Sequence, residues 1–226
     1  MRGLFITGTD TGVGKTVVAA AICAALAARG ERVAAFKPVV TGTDDEPGDW
    51  PPDHELLASV ANTGQTAADI AAVTFGPPLS PHYAAELVDA TIDPQRLRAA
   101  AQDAAETAAA AGTLICEGVG GLLVPLTSGY SIRDLAVDLA LPLIVVARSG
   151  LGTINHTLLT IEAAHAADLR VAGVVLTPWP EHPEPIERSN RATIEQLSGV
   201  PVSGLPPTTP PKLAAAGETL PLDSWL

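Results

Sequence analysis

A chain of 226 residues, 47% apolar and 4% aromatic, has room for one α/β domain with a sizeable core, or one domain with a large insertion. Its net charge of −12 comes without the basic stripe that a nucleic-acid surface needs, and no apolar run approaches the roughly 18 residues of a membrane span. Cys23 and Cys116 have no metal-ligand spacing and read as reduced core residues, with a catalytic thiol as the minor alternative.

The N-terminus enters a strand directly, with no cleavable leader, so the sequence predicts a soluble cytoplasmic protein that binds neither membrane nor nucleic acid. That strand, Leu4-Phe5-Ile6, leads into Gly8-Thr9-Asp10-Thr11-Gly12-Val13-Gly14-Lys15-Thr16. A helical pattern from Lys15 to Arg29 leads out and stops at Gly30. Strand, glycine-rich turn and Gly-Lys-Thr opening a helix make a phosphate-binding loop. The first helical turn carries free N–H groups and partial positive charge, and glycines let that backbone wrap closely around phosphates. Lys15 can neutralise the outer phosphates and the Thr16 hydroxyl can hold Mg²⁺. In the usual spacing the first glycine would fall at Thr9; it stands one residue early, at Gly8.

Arg32 to Lys37 reads as a second strand that Pro38 ends, which puts Lys37 at the strand's carboxyl end, where α/β sheets bind ligands. Residues 41 to 53 form an acidic loop, and a helix follows over His54 to Ala61. Three prolines between Ala72 and His82 predict an irregular connection. Asp93-Pro94 starts a helix that runs to Ala111, and the buried strand Thr113 to Glu117 runs into Gly118-Val119-Gly120-Gly121. Then come a helix over Ser131–Leu139, a strand over Leu143–Ala147, a helix over Thr153–Ala167 and a strand over Val171–Leu176. A helix over Pro185–Leu197 and a short strand over Val202–Leu205 precede a proline-rich tail that drapes over the surface. Alternating strands and helices mean a single α/β domain, a phosphate-loop nucleotide-hydrolase-like fold with a mainly parallel sheet and helices on both faces.

Glu117, ending a buried strand beside glycines, points at the loop and can ligate Mg²⁺ with Thr16; the bland alternative is a strand-end acid facing water. Asp49 and Asp53 are further metal candidates, and each is equally a loop acid or a helix cap. Lys37 can stabilise a transferring phosphoryl group or a substrate anion, or be a surface lysine. Thr11 and Thr41 can contact substrate or simply shape turns. Ser80 and His82 are too close in a proline-rich loop to form a nucleophile and its base, so that loop reads as a pocket wall. His156 stands at a helix start that can bind a carboxylate through backbone N–H groups, or it merely caps the helix.

Together, Gly8 to Thr11 with Val13 to Thr16, Lys37-Pro38-Val39 with Thr41-Gly42, Ser80-Pro81-His82, Glu117 to Leu122, and Gly152 with Ile154-Asn155-His156 resemble the dethiobiotin synthetases, ATP-dependent enzymes of biotin synthesis. The resemblance covers about three quarters of the chain. It implies that 7,8-diaminopelargonic acid takes up CO₂ (or bicarbonate) as a carbamate, that ATP phosphorylates it, and that the second amine closes the ring. It implies catalytic roles for Lys15 and Lys37, and nucleotide contacts from Gly12, Val13, Gly14, Lys15, Thr16, Val119, Gly120, Thr177 and Pro178. Thr16 and Glu117, with Asp49 or Asp53, would hold Mg²⁺. Thr11 and Thr41 would touch substrate, and Gly152, Thr153, Ile154 and Asn155 would meet its carboxylate in the other subunit of a homodimer. Two departures stand out. Gly12 occupies a position where the family often has Glu. Thr177-Pro178 replaces an adenine-pairing Asn, which implies looser selection among nucleoside triphosphates.

The leading alternative is a partition- or positioning-type ATPase switch. Those proteins carry an early loop lysine where this chain has Asp10, and a basic or amphipathic surface that this acidic chain lacks. A cobyrinic-acid-type amidotransferase would also need a glutaminase domain, and a binding module without catalysis would ignore the diamine.

Overall fold

The apolar run before the glycine-rich loop forms β1 (Gly3–Gly8), buried along its whole length. In the computed structural model, which describes residues 2–46, 48–108 and 112–226, β1 lies at the middle of a seven-stranded sheet. The chain continues through α1 (Lys15–Ala28), β2 (Val33–Thr41), α2 (Asp53–Val60), α3 (Ala67–Ile70), β3 (Ala71–Phe75), α4 (Pro81–Leu87), α5 (Pro94–Thr107) and β4 (Thr113–Gly121). A small hairpin, β5 (Pro125–Thr127) and β6 (Tyr130–Ser131), precedes α6 (Ile132–Leu139), β7 (Leu143–Ala147), α7 (Thr153–His165), β8 (Val171–Leu176), α8 (Pro185–Ser198) and β9 (Val202–Gly204). After a 3₁₀ turn, α9 (Leu213–Gly217) and α10 (Leu222–Trp225) close the chain. The strand order is β3-β2-β4-β1-β7-β8-β9, with every pairing parallel.

Strand residues alternate between two cores, as the two-residue period of a pleated strand requires. Leu4 and Ile6 join a core with the alanine-rich face of α1, whereas Phe5 joins the opposite core with α5 and α6. Small side chains on α1 let it lie close to the sheet. Local capping sets the helix starts: Ser131 and Asp134 form a capping box at α6, and Asp93 accepts from the Gln95 N–H at α5. Among the described residues no helix is long and apolar enough to cross a membrane.

Four sequence expectations need correction, and a fifth lies partly out of reach. Pro38 does not end β2, which runs on to Thr41. The strand pairs with β4 only through Phe36 and with β3 from Lys37 onward, so the missing proline N–H falls where the ladder changes partner. The stretch read as irregular holds the edge strand β3 and the helix α4. The strand ending at Glu117 continues through the glycines to Gly121. The tail does not drape over the surface: Leu213, Leu222 and Trp225 are buried in the α1-side core. The expected end of the Asp93 helix at Ala111 lies outside the described residues.

The tail packs tightly because Gly217 lies against α1, where a Cβ would stand 2.1 Å from the Ala21 carbonyl oxygen and 2.8 Å from Ala25 Cβ. Gly217→Ala should therefore lower the unfolding free energy by about 1–3 kcal/mol, the range for overpacking. Urea titration reads this directly; an unchanged midpoint would contradict the packing argument.

Candidate nucleotide and cation site

The loop between β1 and α1 is shaped by its glycines. Gly12 and Gly14 adopt left-handed backbone angles, φ +69° and +94°, that side chains disfavour. Gly8 stands where a Cβ would lie 2.8 Å from Val13 Cγ2 and 3.0 Å from Lys15 Cδ, which accounts for a glycine at this position. Gly14 caps α1 without a side-chain hydrogen bond, and the first turn of α1 holds no acid. The free N–H groups there are a ready anion site. Lys15 is buried beside them and donates to the Asp10 carbonyl oxygen at 2.9 Å. Burial, opposed by the nearby carboxylates, leaves its ammonium below the usual lysine range.

The sheet supplies the rest. Phe36 of β2 pairs with Cys116 of β4, so the next step along both strands sets Lys37 beside Glu117. Lys37 Nζ donates to Glu117 Oε1 at 2.6 Å and lies 2.6 Å from Asp53 Oδ2. Thr16 Oγ1 donates to the same Glu117 oxygen at 2.8 Å. Lys37 and Glu117 are almost wholly buried, while the Asp53 carboxylate is 45% exposed. Burial works against the charge on Lys37, but Glu117 and Asp53 outweigh it and hold its ammonium above the usual range. Burial pushes the Glu117 carboxyl up, against the pull of Lys37. At Asp53 burial is overcome, chiefly by Lys37, and the carboxyl sits below the ordinary range. Among the described residues Glu117 Oε2 is buried without a partner.

These groups line one cleft of about 700 Å³, walled by Thr11, Gly12, Gly14, Lys15, Thr16, Lys37, Thr41, Asp53, Glu117, Val119 and Gly120. Trp50 and the Pro78–Pro81 turn close its sides, so the Ser80-Pro81 segment is a pocket wall as expected, while His82 faces a separate depression. Val13 is buried under the loop. Thr177, at the end of β8, lies against Gly14, where a Cβ would meet its Cγ2 at 2.8 Å; Pro178 follows it, exposed.

Asp49 is exposed and does not line the cleft, whereas Asp53, the first residue of α2, does. Gly152, Thr153, Ile154 and Asn155 also lie off the cleft, at the start of α7, with His156 in a neighbouring groove. Both cysteines are buried, and burial raises their thiols well above the usual range, so neither is a ready nucleophile.

Two positions escaped the sequence reading. Arg148, just past β7, brings its guanidinium within 3.5 Å of the Gly12 carbonyl oxygen; its place after a central strand was the only signal. Asn190 of α8 donates to the Ser149 and Gly150 carbonyl oxygens and fixes the turn before α7; nothing local marked it.

Among the described residues no three His, Cys, Asp or Glu side chains gather as a metal cage. A divalent cation could rest on Thr16, Asp53 and Glu117, with ligand and water oxygens completing the shell, as suits Mg²⁺. The unpartnered Glu117 Oε2 fits that use.

Sheet, loop and cleft define a phosphate-loop nucleotide-binding protein. A family model described as an AAA domain matches residues 2–212. Among solved structures, a ParA family ATPase from Chlorobium tepidum TLS superposes with TM-score 0.52 at 14% identity, covering 96% of this chain and 90% of that one. The cell division ATPase MinD of Pyrococcus furiosus gives 0.53 at 18%, covering 98% and 90%. At such identities they share the fold alone. Curated relatives go further: the ATP-dependent dethiobiotin synthetase of Anaeromyxobacter dehalogenans is 44% identical, over 88% of this chain and 86% of the relative. That of Haloferax mediterranei is 39% identical over 98% and 92%, and that of Bacillus subtilis 36% over 92% and 87%. The chain belongs to the ATP-dependent dethiobiotin synthetase family.

The buried pair allows a stability test. Lys37→Met strands Glu117 and should cost about 3–5 kcal/mol, whereas Lys37→Met with Glu117→Gln should recover much of that. A double-mutant cycle by denaturant unfolding measures it; additive losses would mean that the pair is not coupled.

Proposed function

We propose that this protein makes dethiobiotin from 7,8-diaminopelargonic acid, CO₂ and ATP. It is an ATP-dependent ligase. One amine attacks CO₂ and loses a proton, giving a carbamate. A carbamate oxygen then attacks the γ-phosphorus and ADP leaves. The second amine attacks the activated carbonyl carbon and loses a proton, the C–O bond to phosphate breaks, and the cyclic urea and inorganic phosphate are released.

The observation that carries this reading is the meeting of two buried lysines in one cleft with the acid–hydroxyl pair Glu117 and Thr16. Carbamate and triphosphate are both anions, so their approach needs cations held between them. In this reading the α1 N–H groups and Lys15 hold the phosphates, and Lys37 stabilises the carbamate and the transferring phosphoryl group. Thr11 and Thr41 orient the diamine at the cleft wall. Val119, Gly120, Thr177 and Pro178 border the rest of the nucleotide. Bound Mg²⁺ would neutralise phosphate charge, held by Thr16, Glu117 and Asp53. The α7 start, off its own cleft, would serve the substrate carboxylate of a second copy, making the working unit a homodimer in the cytoplasm.

Labelled bicarbonate with Mg-ATP and the diamine should yield labelled cyclic urea, at comparable rates when CTP or GTP replaces ATP. ATP turnover indifferent to the diamine would overturn the reading, and strict ATP dependence would overturn its nucleobase part. Lys37→Ala should lower kcat about 100-fold or more while nucleotide still binds.

The same assay separates the two loop acids. Asp53→Asn should raise the Mg²⁺ requirement about tenfold or more, and Asp49→Asn should leave it unchanged. The reverse pattern would move the metal site to Asp49.

A further inference from the structure

Lys37 holds one oxygen of each carboxylate on which a divalent cation would rest, and Glu117 Oε2 has no partner among the described residues. Lys37 Nζ lies 2.6 Å from Glu117 Oε1 and 2.6 Å from Asp53 Oδ2, and Thr16 Oγ1 donates to that same Glu117 oxygen. Lys15, the other buried cation of the cleft, bonds the Asp10 carbonyl instead. Two cations in contact with one pair of carboxylate oxygens would repel strongly, because Lys37 and Glu117 are almost wholly shielded from water. Lys37 lines the open cleft, so its flexible side chain has space to leave the carboxylates without any shift of β2.

We infer that Lys37 is a built-in stand-in cation: its ammonium and a divalent cation compete for the same pair of carboxylates, and metal entry exchanges the two. This rests on the metal assignment of the proposed function and adds a coupling to it. Metal entry releases the lysine toward the reacting anions, so the group that stabilises the carbamate becomes available only once metal is in place. Lys15 and Lys37 face Asp53, Glu117 and the exposed Asp45 in the cleft lining, so a lone divalent ion turns the balance of the cleft positive. The nucleotide's phosphates restore the balance, and metal and nucleotide therefore bind together better than either does alone. The exchange also explains how a carboxylate as buried as Glu117 stays neutralised whenever no metal is bound.

The test is a Mn²⁺ titration followed by electron paramagnetic resonance, without nucleotide. Lys37→Met should bind Mn²⁺ about tenfold or more tightly than the unmodified protein, because no ammonium competes for the oxygens. Lys15→Met removes the same charge from the same cleft without vacating those oxygens, so its gain should stay within about threefold. Lys37→Arg keeps a cation in place and should match the unmodified protein. A gain in Lys37→Met no larger than in Lys15→Met, or Lys37→Arg behaving as Lys37→Met, overturns the inference.

If Lys37→Met is too unstable to titrate, crystals of the unmodified protein soaked in Mn²⁺ answer the same question. Manganese on Glu117 and Asp53 with Lys37 moved off both supports the exchange. Manganese absent from those oxygens, or present with Lys37 still on both, overturns it. Failure to form cyclic urea would count against the proposed function and leave the manganese result readable by itself.

Discussion

The structure depends on one buried charge. Glu117 sits deep between strands, where a lone carboxylate would cost several kcal/mol or take up a proton. Lys37 answers that charge from the adjacent strand, and Thr16 from the first turn of α1. The pair therefore ties together β2, β4 and the phosphate loop, the three elements from which the cleft is built. A local slip of one strand by one residue would turn one partner to the opposite face and leave the other unpaired in an apolar core.

This arrangement follows from parallel pairing. Because the strands run in one direction, their carboxyl ends meet on one side, and the segments leaving β1, β2 and β4 converge there. Residues 80 and 101 positions apart in sequence become hydrogen-bonding neighbours. The backbone N–H groups of α1 face the same space, so fixed dipoles and mobile ammonium groups act on one bound anion. Such groups work best where water is excluded and little reorganisation is needed.

The same sheet also serves proteins of other kinds. The ParA and MinD structures share its outline at 14% and 18% identity, while the curated relatives at 36–44% are dethiobiotin synthetases. The distinction lies in the site, as it generally does for widely used folds. Here Asp10 lends its backbone carbonyl to Lys15, and a second lysine on β2 faces the phosphate loop.

Local chemistry was enough to read the loop and most of the elements around it. Glycines at 8, 12 and 14, a Gly-Lys-Thr helix start, capping residues such as Asp93 and Ser131, and long apolar runs each express a preference within a few residues of themselves. The ligating candidates Thr16 and Glu117 and the cationic pair Lys15 and Lys37 were legible because each stands at the end of a recognisable element. What local signals lack is partnership. Nothing near Pro38 says that the ladder changes partner there, so the run of β2 to Thr41 depended on where β3 and β4 lie. The short edge strand β3 draws its order from β2, and the prolines of the tail concealed Leu213, Leu222 and Trp225, whose burial needs α1 as a surface. Asp49 and Asp53 looked alike in sequence, and only the start of α2 brought one of them to Lys37. Sequence thus determined the chemistry available and the backbone shapes that could present it. The tertiary structure decided which charges meet, because charge pairing in a core is set by strand register and helix placement, which are cooperative properties of the whole sheet.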